Sequence, residues 1–145
     1  MVKIIEDGYL ILTDGSNILE LACERISVDY LMKPEFKNYE GGTNIGWHLG
    51  KEWLEFKAEG IILNSHTKFS NCIDYIKTWT AAGTFTLKVE RDTTPNYVEW
   101  DGDNTTFTVL PKDGLKQMEA LSITQFSDIW VIGNIVFKEA GSRSA

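Results

Sequence analysis

Apolar and polar residues alternate with a period of two along most of this chain, the pattern of half-buried strands. Tyr9–Thr13 predicts a short strand closed by the turn pair Asp14-Gly15. Ile26, Val28, Tyr30 and Met32 lie on one face of the next, Arg25, Ser27 and Asp29 on the other, and Pro34 ends it or confines it to an edge. In Trp53–Leu63 the inward face is expected to hold Leu54, Phe56, Ala58, Gly60 and Ile62, opposite Glu55, Lys57 and Glu59. The period then changes. Phe69, Cys72, Ile73, Ile76, Trp79 and Thr80 fall within one arc at about 100° per residue, while Asn71, Asp74, Lys77, Thr78 and Ala81 fill the opposite arc. This predicts one helix over about residues 70–82, with Ser70 as N-cap and Gly83 as the stop.

Alternation resumes over Thr84–Glu90, with Phe85, Leu87 and Val89 inward. Arg91–Asn96 reads as a hairpin loop. Tyr97–Trp100, the turn Asp101-Gly-Asp-Asn104 and Thr105–Leu110 read as a further hairpin, and Pro111–Gly114 as a turn. Strands are expected over Gln117–Phe126 and Ile129–Lys138; the second is apolar on both faces and belongs in the middle of a sheet. Seven or eight antiparallel strands with one flanking helix make the chain mainly β, a β-sandwich or a partly open barrel. The length fits one domain, expected over residues 1–140, with 141–145 as a flexible tail.

The connection 34–50 departs from this regularity. It carries Gly41, Gly42, Gly46 and Gly50 together with Phe36, Tyr39, Ile45, Trp47 and Leu49. Loops longer than about 12–15 residues in a compact domain are functional or disordered, and five large apolar side chains suit a loop that docks on something. Phe36, Tyr39, Gly41, Gly42, Ile45, Trp47 and Leu49 are therefore the expected self-assembly interface.

Composition changes the picture mainly by exclusion. Hydrophobic residues at 43% and charged ones at 24% are ordinary globular usage and argue against disorder. The net charge of −7 is spread along the chain without a Lys/Arg cluster, which disfavours tight nucleic-acid binding. No apolar run approaches the ~20 residues of a spanning helix, and the N-terminus lacks a secretory core, so cytoplasmic synthesis with no membrane partner is expected. Cys23 and Cys72 read as buried free thiols, although a disulfide stays open.

Candidate chemistry is sparse. His48 and His66 are the two histidines, and no nucleophile elbow precedes Ser65 or Ser70. Asp101-Gly-Asp-Asn104 resembles the start of a calcium loop, but Lys112 stands where the twelfth-position Glu would be. Glu52, Glu55 and Glu59 read as a solvated strand face, and Trp47 or Trp53 could stack on a sugar. No catalytic residue, metal ligand or cofactor is expected, and the chain is not expected to be an enzyme.

The order strand Ile26–Met32, loop Phe36–Asn44 with Tyr39-Glu-Gly-Gly-Thr-Asn44, strand Trp53–Gly60, helix Ser70–Trp79 and then further strands resembles the tail-tube (major tail) proteins of bacteriophages and related injection machines. His48-Leu-Gly50 stands where that family has Leu-Pro-Gly, and Ala58-Glu59-Gly60 lacks the basic pair that often follows. The resemblance implies a virion structural protein made in the host cytoplasm. Its copies would form rings, hexameric in that family, that stack into a tube. The early loop would contact the adjacent ring, other tail proteins would be partners, and DNA would pass through an acidic channel without specific binding. A baseplate, adaptor or capsid decoration protein would look similar, and a carbohydrate-binding β-sandwich is a separate alternative.

Overall fold

The computed structural model describes residues 3–32, 36–38, 44–46, 53–91 and 105–144. Its strands are β1 (Lys3–Thr13), β2 (Ile18–Met32), β3 (Phe36–Asn38), β4 (Asn44–Gly46), β5 (Trp53–Leu63), β6 (Phe85–Glu90), β7 (Thr106–Pro111), β8 (Ile123–Phe126) and β9 (Ile129–Ser144). Helices α1 (His66–Ala82) and α2 (Leu115–Glu119) complete the order. Every pairing is antiparallel. The sheet runs β5-β2-β1-β6-β7-β9-β8, and β5 also pairs with β9, so six strands close into a barrel and β8 hangs from β9. A sandwich would keep two separate sheets. Closure here follows from the 16-residue β9, which pairs with β5 along one edge and with β8 and then β7 along the other.

Closing so few strands demands strong coiling, and irregularities in the ladders supply it: register shifts between Tyr30 and Met32 and between Phe107 and Val109, and a line of facing residues left unpaired with the register unchanged on either side. In β1–β2 the register passes from Glu6↔Arg25 to Gly8↔Cys23, skipping Asp7 and Glu24. In β2–β5 it skips Glu24 and Gly60, and in β5–β9 it skips Gly60 and Gly133. Asp7 (φ 52°) and Gly60 (φ 63°) are left-handed at this line. The skipped residues form a seam across four adjacent strands, at which each strand exchanges its inward and outward faces. Leu54, Phe56 and Ala58 point into the core before the seam, Ile61 and Leu63 after it. Gly60 and Ile62, expected inward, are therefore out of the core, Ile62 being 41% exposed. Simple alternation holds only up to the seam.

Helix α1 begins a turn earlier than the apolar arc suggests. Ser65, not Ser70, is the N-cap, its Oγ accepting from Lys68 N–H at 3.1 Å. Gly83 (φ 146°) ends the helix, its N–H donating to Trp79 O at 3.0 Å. The buried face is Cys72, Ile76 and Trp79, with Phe69 and Ile73 half-buried beside it. The expected strand 117–126 is instead α2 followed by the short β8, because Leu115 and Met118 have helical spacing and Met118 is the side chain that α2 buries. Residues 141–144, expected as a tail, are paired with β7 (Thr106↔Ser144, Phe107↔Arg143). The loop expected over 91–96, beyond Arg91, the strand 97–100 and the turn 101–104 lie outside the described residues.

Candidate assembly surface

Phe36 and Ile45 of the expected interface fall in β3 and β4, which form a two-stranded ribbon separate from the barrel, with Phe36↔Gly46, Lys37↔Ile45 and Asn38↔Asn44. Phe36 and Ile45 are thus neighbours in the ribbon, not direct cross-strand partners. Tyr39, Gly41, Gly42, Trp47 and Leu49 lie outside the described residues, as do His48, Glu52 and the Asp101–Asn104 turn. The ribbon leaves from the end of the barrel where β2 finishes and β5 begins, beside Met32↔Trp53.

A second surface lies toward the opposite end. The last barrel pairs there lead into the β8–β9 hairpin, with Ile123↔Ile132, Thr124↔Val131, Gln125↔Trp130 and Phe126↔Ile129. Its two-residue turn needs a left-handed residue, and Ser127 (φ 54°) supplies it. All four residues of β8 are exposed; Phe126 is 66% exposed and Ile129 44%. The register continues this surface round the barrel. Thr124 pairs with Val131, Val131 with Ile62, Ile62 with Ala22 and Ala22 with Tyr9, so one outward row spans β8, β9, β5, β2 and β1. Only Thr124 among these five is polar in the usual sense, and Asp128 in the turn is the sole charge of the hairpin up to Lys138.

Across the seam the same strands present charge. Arg25 Nε donates to Glu6 Oε1 at 3.0 Å, Lys57 Nζ lies 3.1 Å from Glu59, and Lys112 Nζ 3.0 Å from Glu55. The outer wall is thus divided into an apolar row and a charged field. Sequence reasoning missed Ile62, Val131, Phe126 and Ile129 as surface residues. The available signal was the glycine inside the strand pattern at position 60 and the tight turn Ser127-Asp128.

Beneath the hairpin, the stretch of β9 between its β8 and β7 pairings is closed by a side chain. Gln117 Nε2 donates to Val136 O at 2.7 Å, and Val136 N–H donates to Gln117 Oε1 at 2.8 Å, so the amide takes the place of a strand. Gly133 N–H donates to Ser122 O at 2.8 Å in the same gap. An open groove of about 600 Å³ beside α2 is lined by Asp113, Lys116, Gln117, Leu121, Ser122 and Asn134.

Groups capable of catalysis do not converge among the described residues. His66 sits on Trp130 (ring centroids 5.4 Å apart), which stacks on Phe69 at 4.5 Å. Cys23 and Cys72 are free and buried, and burial pushes both thiols up to about 12. Among the described residues no three His, Cys, Asp or Glu side chains are grouped to hold a metal ion. No described helix is long and apolar enough to cross a membrane. Comparison with protein-family models, curated proteins and solved structures finds no match to the chain.

Proposed function

We propose that this chain is a structural subunit that assembles with copies of itself, in the manner the tail-tube resemblance implies: a virion protein whose rings stack around a channel. The observation that carries this reading is the β3–β4 ribbon, which leaves the barrel between β2 and β5 and, among the described residues, pairs with no barrel strand. A two-stranded ribbon is marginal in water by itself, so an excursion of this kind is stabilised by docking elsewhere. The apolar row on the outer wall adds a second surface suited to a neighbour.

Ring formation requires a heterologous contact, one surface meeting a different surface on the next copy, and closes when the rotation between copies permits. Stacking one ring on the next likewise needs unlike surfaces, and the ribbon at one end of the barrel and the β8–β9 hairpin at the other are two such surfaces. The net charge of −7 repels a polyanion, so DNA would pass the channel of such a ring without adhering.

Light scattering and negative-stain microscopy of the purified chain test the reading. Rings or short tubes are expected as concentration rises, and a strict monomer at high concentration would reject it. Trp47→Ala is expected to impair assembly more than folding, whereas equal loss of both would place Trp47 in the core.

A further inference from the structure

We infer that the edge of β8 is the acceptor for the β3–β4 ribbon of another copy, the two joining head to tail as a continuous antiparallel or parallel sheet. This rests on the self-assembly reading above and names its contact.

Two incomplete sheets in one chain carry the inference. Strand β8 is the end of the main sheet, and β3–β4 is a sheet of two strands; each leaves a row of backbone N–H and C=O groups without a strand beside it among the described residues. Edge strands are ordinarily protected by lysine, proline, an inward charge or a covering element. Ile123-Thr-Gln-Phe126 is short, which limits its edge to four residues, but it carries no charge and no proline, and all four residues are exposed.

The two edges lie at opposite ends of the barrel. Thr124 is level with Ala22 through Val131 and Ile62, ten residues along β2 from Met32. That is about 30 Å of strand at 3.3 Å per residue. Asn38 is six residues beyond Met32 and reaches at most about 21 Å. The ribbon is therefore too short to complete its own β8. A second copy placed end on brings ribbon and hairpin together. Charge agrees: Lys37 is the only charged residue of the two ribbon strands, and Asp128 the only one between Leu121 and Phe137. The contact thus matches the one cation of the ribbon strands with the one anion of the hairpin turn, in a protein whose copies repel at −7.

The test is sedimentation velocity with negative-stain microscopy on the full chain across a concentration series. It compares the unchanged chain with Thr124→Lys, Lys37→Asp and the exchange Lys37→Asp with Asp128→Lys. Thermal unfolding serves as the folding control. Thr124→Lys and Lys37→Asp are each expected to raise the concentration at which stacks appear about tenfold, with rings and melting temperature retained, and the exchange is expected to restore stacking. Rings that stack unchanged in both single variants would overturn this contact while leaving the proposed function standing. Loss in the single variants without recovery in the exchange would overturn the pairing of ribbon with hairpin. A monomer at every concentration would overturn both.

Discussion

The barrel is closed differently at its two ends. At the end nearest β8, helix α1 lays Cys72, Ile76 and Trp79 over the core. Trp79 stacks on Tyr75 (5.6 Å) and meets Phe85 at 5.5 Å, and Phe85 in turn meets Phe137 edge-on at 6.0 Å. At the other end, where the ribbon leaves, charge lies inside. Glu139 is fully buried and Arg143 has a side chain 4% exposed. Arg143 Nε donates to Glu139 Oε2 at 2.6 Å and Nη2 to Oε1 at 2.8 Å, while Leu54 N–H donates to Oε1 at 3.1 Å. The guanidinium also lies 5.7 Å from the Phe107 ring centroid, and Phe107 is 5.0 Å from Phe56. An apolar plug is non-directional and tolerates small shifts. A forked, hydrogen-bonded pair does not, and it ties β9 to β5 at the end from which long connections depart.

Breaking the plug should have the largest effect. Trp79→Ala removes a nearly buried indole shared by the helix, Phe85 and Tyr75, and is expected to destabilise the fold by about 3–5 kcal/mol in urea unfolding. The two buried thiols report on the same region. Their ordinary value is 9.0, and burial raises both to about 12, so the stability they contribute is complete below 9.0 and is lost as pH climbs toward about 12. Labelling with a thiol reagent at pH 8 should be negligible in the folded chain, reach both cysteines on unfolding, and quicken in Trp79→Ala. Rapid labelling of the unaltered chain would show the cap to be loose.

At the other end the outcome depends on how the pair is altered. Glu139→Ala leaves Arg143 without its forked acceptor and Leu54 N–H without its carboxylate, and should cost about 3 kcal/mol in the same assay. Replacing both partners, Glu139→Leu with Arg143→Met, should recover most of that loss, because burying two charges is itself expensive. A double variant as unstable as the single would mean that Leu54 and the β5 start depend on the carboxylate itself.

These ends were unequally readable from sequence. The arc Phe69–Trp79 identified the helical plug and its buried face, since a helix declares itself by a period over several turns. The ion pair was hidden because Gly141-Ser-Arg-Ser looks like a tail, and nothing local says that a strand across the barrel will pair with it. The strand Trp53–Leu63 was found with its bounds, yet its second half was turned the wrong way, because one left-handed glycine reverses every later side chain. Gly60→Ala probes that point. At φ 63° an L side chain is strained by about 1–2 kcal/mol, and its Cβ would also approach the Glu24 side chain at 2.7–2.8 Å. Glu24 is flexible and exposed enough to move, so the expected loss is that of the backbone alone, about 1–2 kcal/mol. A neutral result would mean that the seam is not required to close the barrel. The ribbon was anticipated only as a docking loop, since its strands are three residues each and too short for a period to emerge.

The smallest effect on folding belongs to the hairpin tip beyond the plugged end. Phe126 is 66% exposed at the tip of the β8–β9 hairpin, and its direct partner Ile129 is 44% exposed. Phe126→Ser should therefore alter unfolding free energy by no more than about 0.5 kcal/mol, as for other surface positions away from special features. If a neighbour covers the tip, the same substitution removes an aromatic anchor from a contact and weakens association without touching the fold. The measurement is a pair: chemical denaturation at a dilution where the chain is monomeric, and sedimentation at a concentration where it assembles. A loss in the first would move Phe126 into the folding core of one copy, and no change in the second would leave the hairpin tip bare in the assembly. Unchanged folding with weakened association is the result expected, because the residue that contributes least within one barrel is the one best placed to serve between two.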